Sequence, residues 1–205
     1  MELFIHGKLF LVIMDQFYPE ETEDTEIKEH LNRLHNSTVL LARDILQDPN
    51  FVAAVVLICI YSKDGGAYGL VLNRPSHMPL SEIFDGFSEM NEPRKVYIGG
   101  PVQQEELQII QITDDPVADS HRIAPRTYLG GKWENVDQML MLDTDSSRLF
   151  LGYSGWAPGQ LEGEIEAGAW DVFDQIDLEK LLTNTDRIIA ADVKSIADYL
   201  ETLRA

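Results

Sequence analysis

The feature that most constrains this chain is the run over residues 51–61, whose middle, Val55-Val56-Leu57-Ile58-Cys59-Ile60, offers no polar face. A short β-branched run of this kind reads as a strand buried on both sides. Lys63-Asp64-Gly65-Gly66 follows, and Asp-Gly is a strong hairpin signal. Residues 68–73 then read as the returning arm, so the centre of the fold is predicted to be an antiparallel hairpin covered from both sides.

Further strands are expected over residues 38–42, 95–98, 107–112 and 148–153, with a short one within 126–129. Gly99-Gly100-Pro101 marks a tight turn between two of them. Helices are expected over residues 23–35, 79–87, 135–142, 158–167, 177–182 and 193–203. In the first, Ile27, Leu31 and Leu34 recur at i, i+4 and i+7, with Thr22 or Asp24 placed to cap it. In the last, Ile196, Leu200 and Leu203 share a face. Strands early and helices late, without a strict βαβ alternation, predict an α+β fold. The acidic, turn-prone stretch from Pro19 to Asp24 sets residues 1–36 apart as an extension carrying an amphipathic helix, with Met14 a second candidate start and residues 37–205 the domain.

A chain of 205 residues, 44% of them hydrophobic, sustains one core without staples. The single Cys59 has no internal disulfide partner and reads as a small core hydrophobe. No stretch approaches the ~18 apolar residues of a membrane-spanning helix, and the start lacks the small-residue cleavage site of a secretory signal. A cytoplasmic location away from membranes is the expectation. With 35 acidic against 16 basic residues the formal charge is −19, which repels polyanions and disfavours direct nucleic acid binding.

Several catalytic motifs fail on spacing. Gly65-Gly66-Ala67-Tyr68-Gly69 is followed by a strand, where a phosphate loop needs a helix N-terminus. Gly152-Tyr153-Ser154-Gly155-Trp156 has Trp where a serine nucleophile elbow needs Gly. The five histidines, His6, His30, His35, His77 and His121, show no metal-ligand spacing, so no metal and no cofactor is expected. Glu162, Glu164 and Glu166 read as a solvated helix face. What stands out instead is polar residues beside Gly and Pro at strand ends: Asn73-Arg74-Pro75, Gly99-Gly100-Pro101 and Trp156-Ala157-Pro158-Gly159-Gln160.

Those loops carry a resemblance. Leu46-Gln47-Asp48-Pro49-Asn50-Phe51, Gly66-Ala67-Tyr68-Gly69-Leu70-Val71-Leu72-Asn73-Arg74-Pro75, Ile98-Gly99-Gly100-Pro101-Val102, and Gly152-Tyr153 with Trp156 and Gly159-Gln160-Leu161-Glu162 resemble, in order and spacing, the motifs of the YqgE/AlgH family. The resemblance runs from residue 38 to about 172. It implies a bacterial protein with a bulged, barrel-like, mostly antiparallel sheet flanked by helices, from a family without an assigned catalytic activity and historically linked to transcriptional regulation of alginate synthesis. Two departures are visible: Ala42-Arg43-Asp44 stands where the family shows Ala-x-Pro, and Tyr61 where a His often follows the long strand.

The leading expectation is a non-enzymatic binding or regulatory protein. Asn73, Arg74, Gly99, Gly100, Trp156 and Gln160 would converge on one groove, Arg74 anchoring a small anion and Trp156 forming an apolar wall. A protein partner is the other occupant considered. The alternative is an enzyme using the carboxylates of Asp48 or Glu164 in the same groove, and a third reading is a DNA-binding regulator with a contiguous basic face.

Overall fold

The computed structural model describes residues 20–77, 82, 94–132 and 146–204. Its strands are β1 (Val39–Ala42), β2 (Val55–Ser62), β3 (Gly66–Val71), β4 (Val96–Ile98), β5 (Val102–Ile112), β6 (His121–Ala124), β7 (Thr127–Leu129), β8 (Ser147–Trp156) and β9 (Trp170–Phe173). The helices are α1 (Glu20–Asn32), α2 (Gln160–Glu166), α3 (Leu178–Thr183) and α4 (Val193–Thr202). The strands form one nine-stranded sheet in the order β6-β7-β5-β8-β3-β2-β1-β9, with β4 joined to β8 beside this path. All pairings are antiparallel except β4 with β8. The sheet is bulged in β2, β5 and β6, and it is open, ending at β6 and β9.

The predicted β2–β3 hairpin lies inside this sheet, and the two-residue period of a strand sends alternate side chains to two cores. Val39, Leu41, Val55, Leu57, Leu70 and Leu72 face Leu181, Leu182, Ile196 and Leu200 of α3 and α4. Leu40, Val56, Ile58 and Val71 face Leu161 and Ile165 of α2, together with Leu34. Cys59 is buried, and burial pushes its thiol pKa up, away from the thiolate that reactive cysteines need.

The long β8 changes partners along its length. Leu149–Leu151 pair with β4, whereas Ser154–Trp156 pair with β3. The switch falls at Gly152, whose φ of 66° lies in the left-handed region, and a Cβ there would come within 2.7 Å of the Val102 carbonyl oxygen. Gly99 docks at this point. Its N–H donates to the Leu151 carbonyl, and its own carbonyl accepts from the Val71 N–H.

Several boundaries differ from the sequence reading. β2 starts at Val55, because Ala53 sits at φ 51° and residues 51–54 form turns. Burial on both faces ends after Cys59, and Ile60 is 39% exposed. β5 begins five residues early, in the exposed segment Gln103-Gln104-Glu105-Glu106, which has no apolar signal. The four-residue strands β6 and β9 were not expected. α1 starts at Glu20, which places Thr22 and Asp24 inside the helix and not at its cap. The helices expected over 79–87 and 135–142 lie outside the described residues.

Candidate functional site

The densest polar arrangement near the expected site is built on α2. Gly159, at φ 78°, precedes that helix, and Leu161 and Ile165 fix its inner face in the core. Glu164 then lies beside two buried indoles. Its Oε2 accepts from Trp156 Nε1 at 3.0 Å and Trp170 Nε1 at 2.8 Å, and its Oε1 accepts from Gln160 Nε2 at 3.0 Å. The Gln160 side-chain Oε1 in turn accepts from the Ala157 N–H. Phe51 completes the cluster, stacked on Trp156 with centroids 5.9 Å apart and edge-on to Trp170 at 5.5 Å. Offset and edge-on packing of this kind suits the ring quadrupoles.

Glu162, on the other side of α2, accepts from the Tyr61 hydroxyl at 2.8 Å. Burial, and then this carboxylate, push the Tyr61 pKa up to about 12. The expectation of a solvated carboxylate face therefore holds only for Glu166, which is exposed; Glu162 and Glu164 are half-buried because the helix turns them toward Tyr61 and the two tryptophans.

Asn73 and Arg74 sit at the end of β3, beside loop 48–53. The Asn73 side chain accepts from the Val55 N–H at 3.0 Å and donates to the carbonyls of Ala53 at 2.8 Å and Ile188 at 3.3 Å. It thereby fastens the start of β2 to the turn before α4. Arg74 is half-buried and reaches the same loop, donating through Nη2 to the carbonyls of Val52 at 3.1 Å and Pro49 at 3.4 Å. Burial lowers its pKa, and the field of Asp48 opposes that shift. Asp48 is exposed; its Oδ1 accepts from the Asn50 N–H, a turn contact within its own loop.

Gly99 and Gly100 are buried against β8. A Cβ on Gly100 would meet the Tyr153 carbonyl at 2.3 Å, so the space in front of it is filled by the protein's own backbone. The Ser154 hydroxyl, fully buried, donates to the Gly99 carbonyl at 3.1 Å. The six expected groove residues thus fall into two neighbourhoods. Asn73, Arg74, Gly99 and Gly100 gather around the end of β3, Trp156 and Gln160 gather around Glu164, and loop 48–53 touches both through Arg74 and Phe51.

Sequence reasoning missed Phe51, Tyr61 and Trp170 as members. The available signal was three large aromatics, each at the edge of an apolar run. Among the described residues no cluster of His, Cys, Asp and Glu is arranged to hold a metal, and no helix is long and apolar enough to cross a membrane.

An open, mostly antiparallel sheet with helices on both faces defines a single-domain α+β protein. The chain belongs to the AlgH-like family, whose model matches residues 39–189. It is 36% identical over 179 residues to a UPF0301 protein of Chlorobium luteolum, covering 82% of this chain and 93% of the relative. It is 32% identical over 160 residues to a UPF0301 protein of Chlorobaculum tepidum, covering 77% and 84%. Among solved structures, the solution structure of the AlgH protein from Pseudomonas aeruginosa superposes with a TM-score of 0.63 at 24% identity, covering 81% of this chain and 88% of that one, a likeness of fold.

Proposed function

We propose that this chain is a non-enzymatic binding protein with a regulatory role, in which Arg74 supplies the contact to a small anion. The carrying observation is the state of its guanidinium. It is half-buried, its two hydrogen bonds both leave through Nη2, and the Asp48 carboxylate nearby is drawn toward its own loop. A guanidinium has five donors in a planar fork, so Nε and Nη1 remain to grip an oxyanion. Asn73, Trp156 and Gln160 hold the surrounding loops in place for that contact, and Gly99 and Gly100 let β4 and β8 approach closely behind it.

A second set of observations supports binding over catalysis. Glu164 takes three N–H donors, Ser154 is committed to a carbonyl, Asp48 closes a turn and Cys59 is in the core. Each of these four groups is thus engaged within the fold. Against nucleic acid as the partner, Arg33, Arg43, Lys95, Arg126, Lys132, Lys180 and Arg204 each lie within 4 Å of a carboxylate, which leaves those cations neutralised one by one.

Thermal shift of the full chain against inorganic phosphate, nucleotides and small carboxylates tests the reading. A ligand at ~100 times its dissociation constant stabilises by ~2.7 kcal/mol. The shift is expected to vanish in Arg74→Ala and to survive in part in Arg74→Lys. A shift that persists unchanged in Arg74→Ala removes Arg74 from the site.

A further inference from the structure

The rim around Arg74 has a chemistry that narrows what the site takes. Nη2 donates to the carbonyls of Val52 at 3.1 Å and Pro49 at 3.4 Å, and both of these apolar residues are exposed, Val52 to 64%. Apolar residues scattered singly over a surface carry little meaning. Here the backbone itself places the pair, because a carbonyl oxygen lies about 3 Å from the Cβ of its own residue and both side chains therefore begin within roughly 6–7 Å of Nη2. The display is held in a costly conformation. Ala53 has φ 51°, in the left-handed region that a Cβ disfavours. Its carbonyl accepts from Asn73 Nδ2 at 2.8 Å, the Ala54 N–H donates to the Phe51 carbonyl at 3.0 Å, and the Phe51 ring is packed on Trp156 and Trp170. Local strain held in place by its surroundings recurs at ligand clamps.

The cation offers an anion single contacts only. A guanidinium grips bidentately through Nη2 together with either Nη1 or Nε, and Nη2 is spent here on the two carbonyls. Nε and Nη1 remain, one bond each, on different edges of the plane. Asp48 lies close enough to bear on the charge of Arg74, and the chain carries a formal charge of −19, so every ligand charge beyond the first meets repulsion. Such an anchor suits one negative charge and leaves further affinity to the surface beside it, which is apolar.

We infer that the Arg74 site takes a monocarboxylate with a short apolar tail, the carboxylate on Nε or Nη1 and the tail laid against Val52 and Pro49. This rests on Arg74 being the anion contact and supplies the other half of the ligand. The chemistry belongs to a free short-chain acid and equally to the last residue of a polypeptide that ends in an apolar side chain. Full burial of a methylene raises affinity about fourfold, and contact on an open rim is worth about half that factor.

The test titrates acetate, butanoate, hexanoate and 1-hexanol into the full chain and follows its amide NMR signals. An N-acetylated tetrapeptide ending in leucine, with its C-terminus free or amidated, completes the series. Hexanoate is expected to bind at least ~10-fold more tightly than acetate, with butanoate between them and 1-hexanol without saturable binding. Val52→Ser, at an exposed position, is expected to bring hexanoate most of the way back to acetate while leaving acetate unchanged, and Arg74→Ala to abolish both, with the amide signals of β2 and β3 retained in each variant. Tighter binding of hexanoate than of the free-ended peptide names a small acid as the source, and the reverse, lost on amidation, names a polypeptide end. Equal affinity for acetate and hexanoate, both lost in Arg74→Ala, overturns this inference and leaves Arg74 as a plain anion contact. Tail-dependent affinity that survives Arg74→Ala overturns both readings. A series unchanged in Val52→Ser, or no saturable binding of hexanoate or peptide, overturns the apolar rim.

Discussion

A single carboxylate, Glu164, ties together residues from three parts of the chain. Two of its donors are indole N–H groups on tryptophans that are 5% and 1% exposed, so losing the acceptor leaves two largely buried donors without it. A buried donor left unpaired costs about 1–3 kcal/mol. Glu164→Ala is therefore expected to lower unfolding free energy by roughly 2–5 kcal/mol in urea titration, and Glu164→Gln, which keeps an acceptor oxygen, by clearly less. Equal, small losses in both variants would mean that the aromatic packing alone holds the cluster. At this scale the sequence marks Asn73 and Glu164 as polar groups suited to a ligand or substrate, and carries no signal for the contacts they make within the fold. Their partners, Ile188 and Trp170, come from segments whose approach only the folded sheet creates.

Among the elements, α3 shows how a terminus sets pH dependence. Asp177 is its N-cap and accepts from the Lys180 N–H, and its carboxylate lies 2.8 Å from Lys180 Nζ. The Lys180 side chain, and then its backbone N–H, hold the Asp177 pKa below the usual carboxylate value. A depressed folded pKa contributes stability that is fully present above the unfolded value of about 3.9 and is lost as pH falls through the folded value. Asp177→Asn keeps a capping oxygen without the charge. Its deficit relative to the unaltered chain is expected to be visible in urea midpoints near pH 7 and to shrink steadily below about pH 4. A deficit independent of pH would assign the effect to cap geometry and not to charge. α3 was legible in the sequence, as were α2 and α4, because helix signals are local, but Asp177 was read there as the first helical residue and not as the cap.

Across the whole molecule, the legible part was whatever a run of alternating or continuous apolar residues encodes. The β2–β3 hairpin, β1, β4, β8 and the α+β class follow from such runs. β6 and β9 did not, because four residues with a polar member and one neighbouring strand carry too little pattern. Missing β9 had a direct cost for the site, since Trp170 is its first residue and half of the indole clasp on Glu164. The bend of β8 at Gly152 was equally hidden. A glycine in a strand announces a special position, but only the partner change from β4 to β3 says why it is needed. The central claim, that the chain works as a binder through Arg74, is tested most directly by NMR of the arginine side chains. The Nε–Hε signal of Arg74, assigned by its loss in Arg74→Lys, is followed while inorganic phosphate and nucleotides are titrated into the full chain. The account predicts a saturable shift of that signal well beyond those of Arg126 and Arg204, which are already paired with carboxylates. A stationary Arg74 signal alongside an anion that binds elsewhere contradicts it.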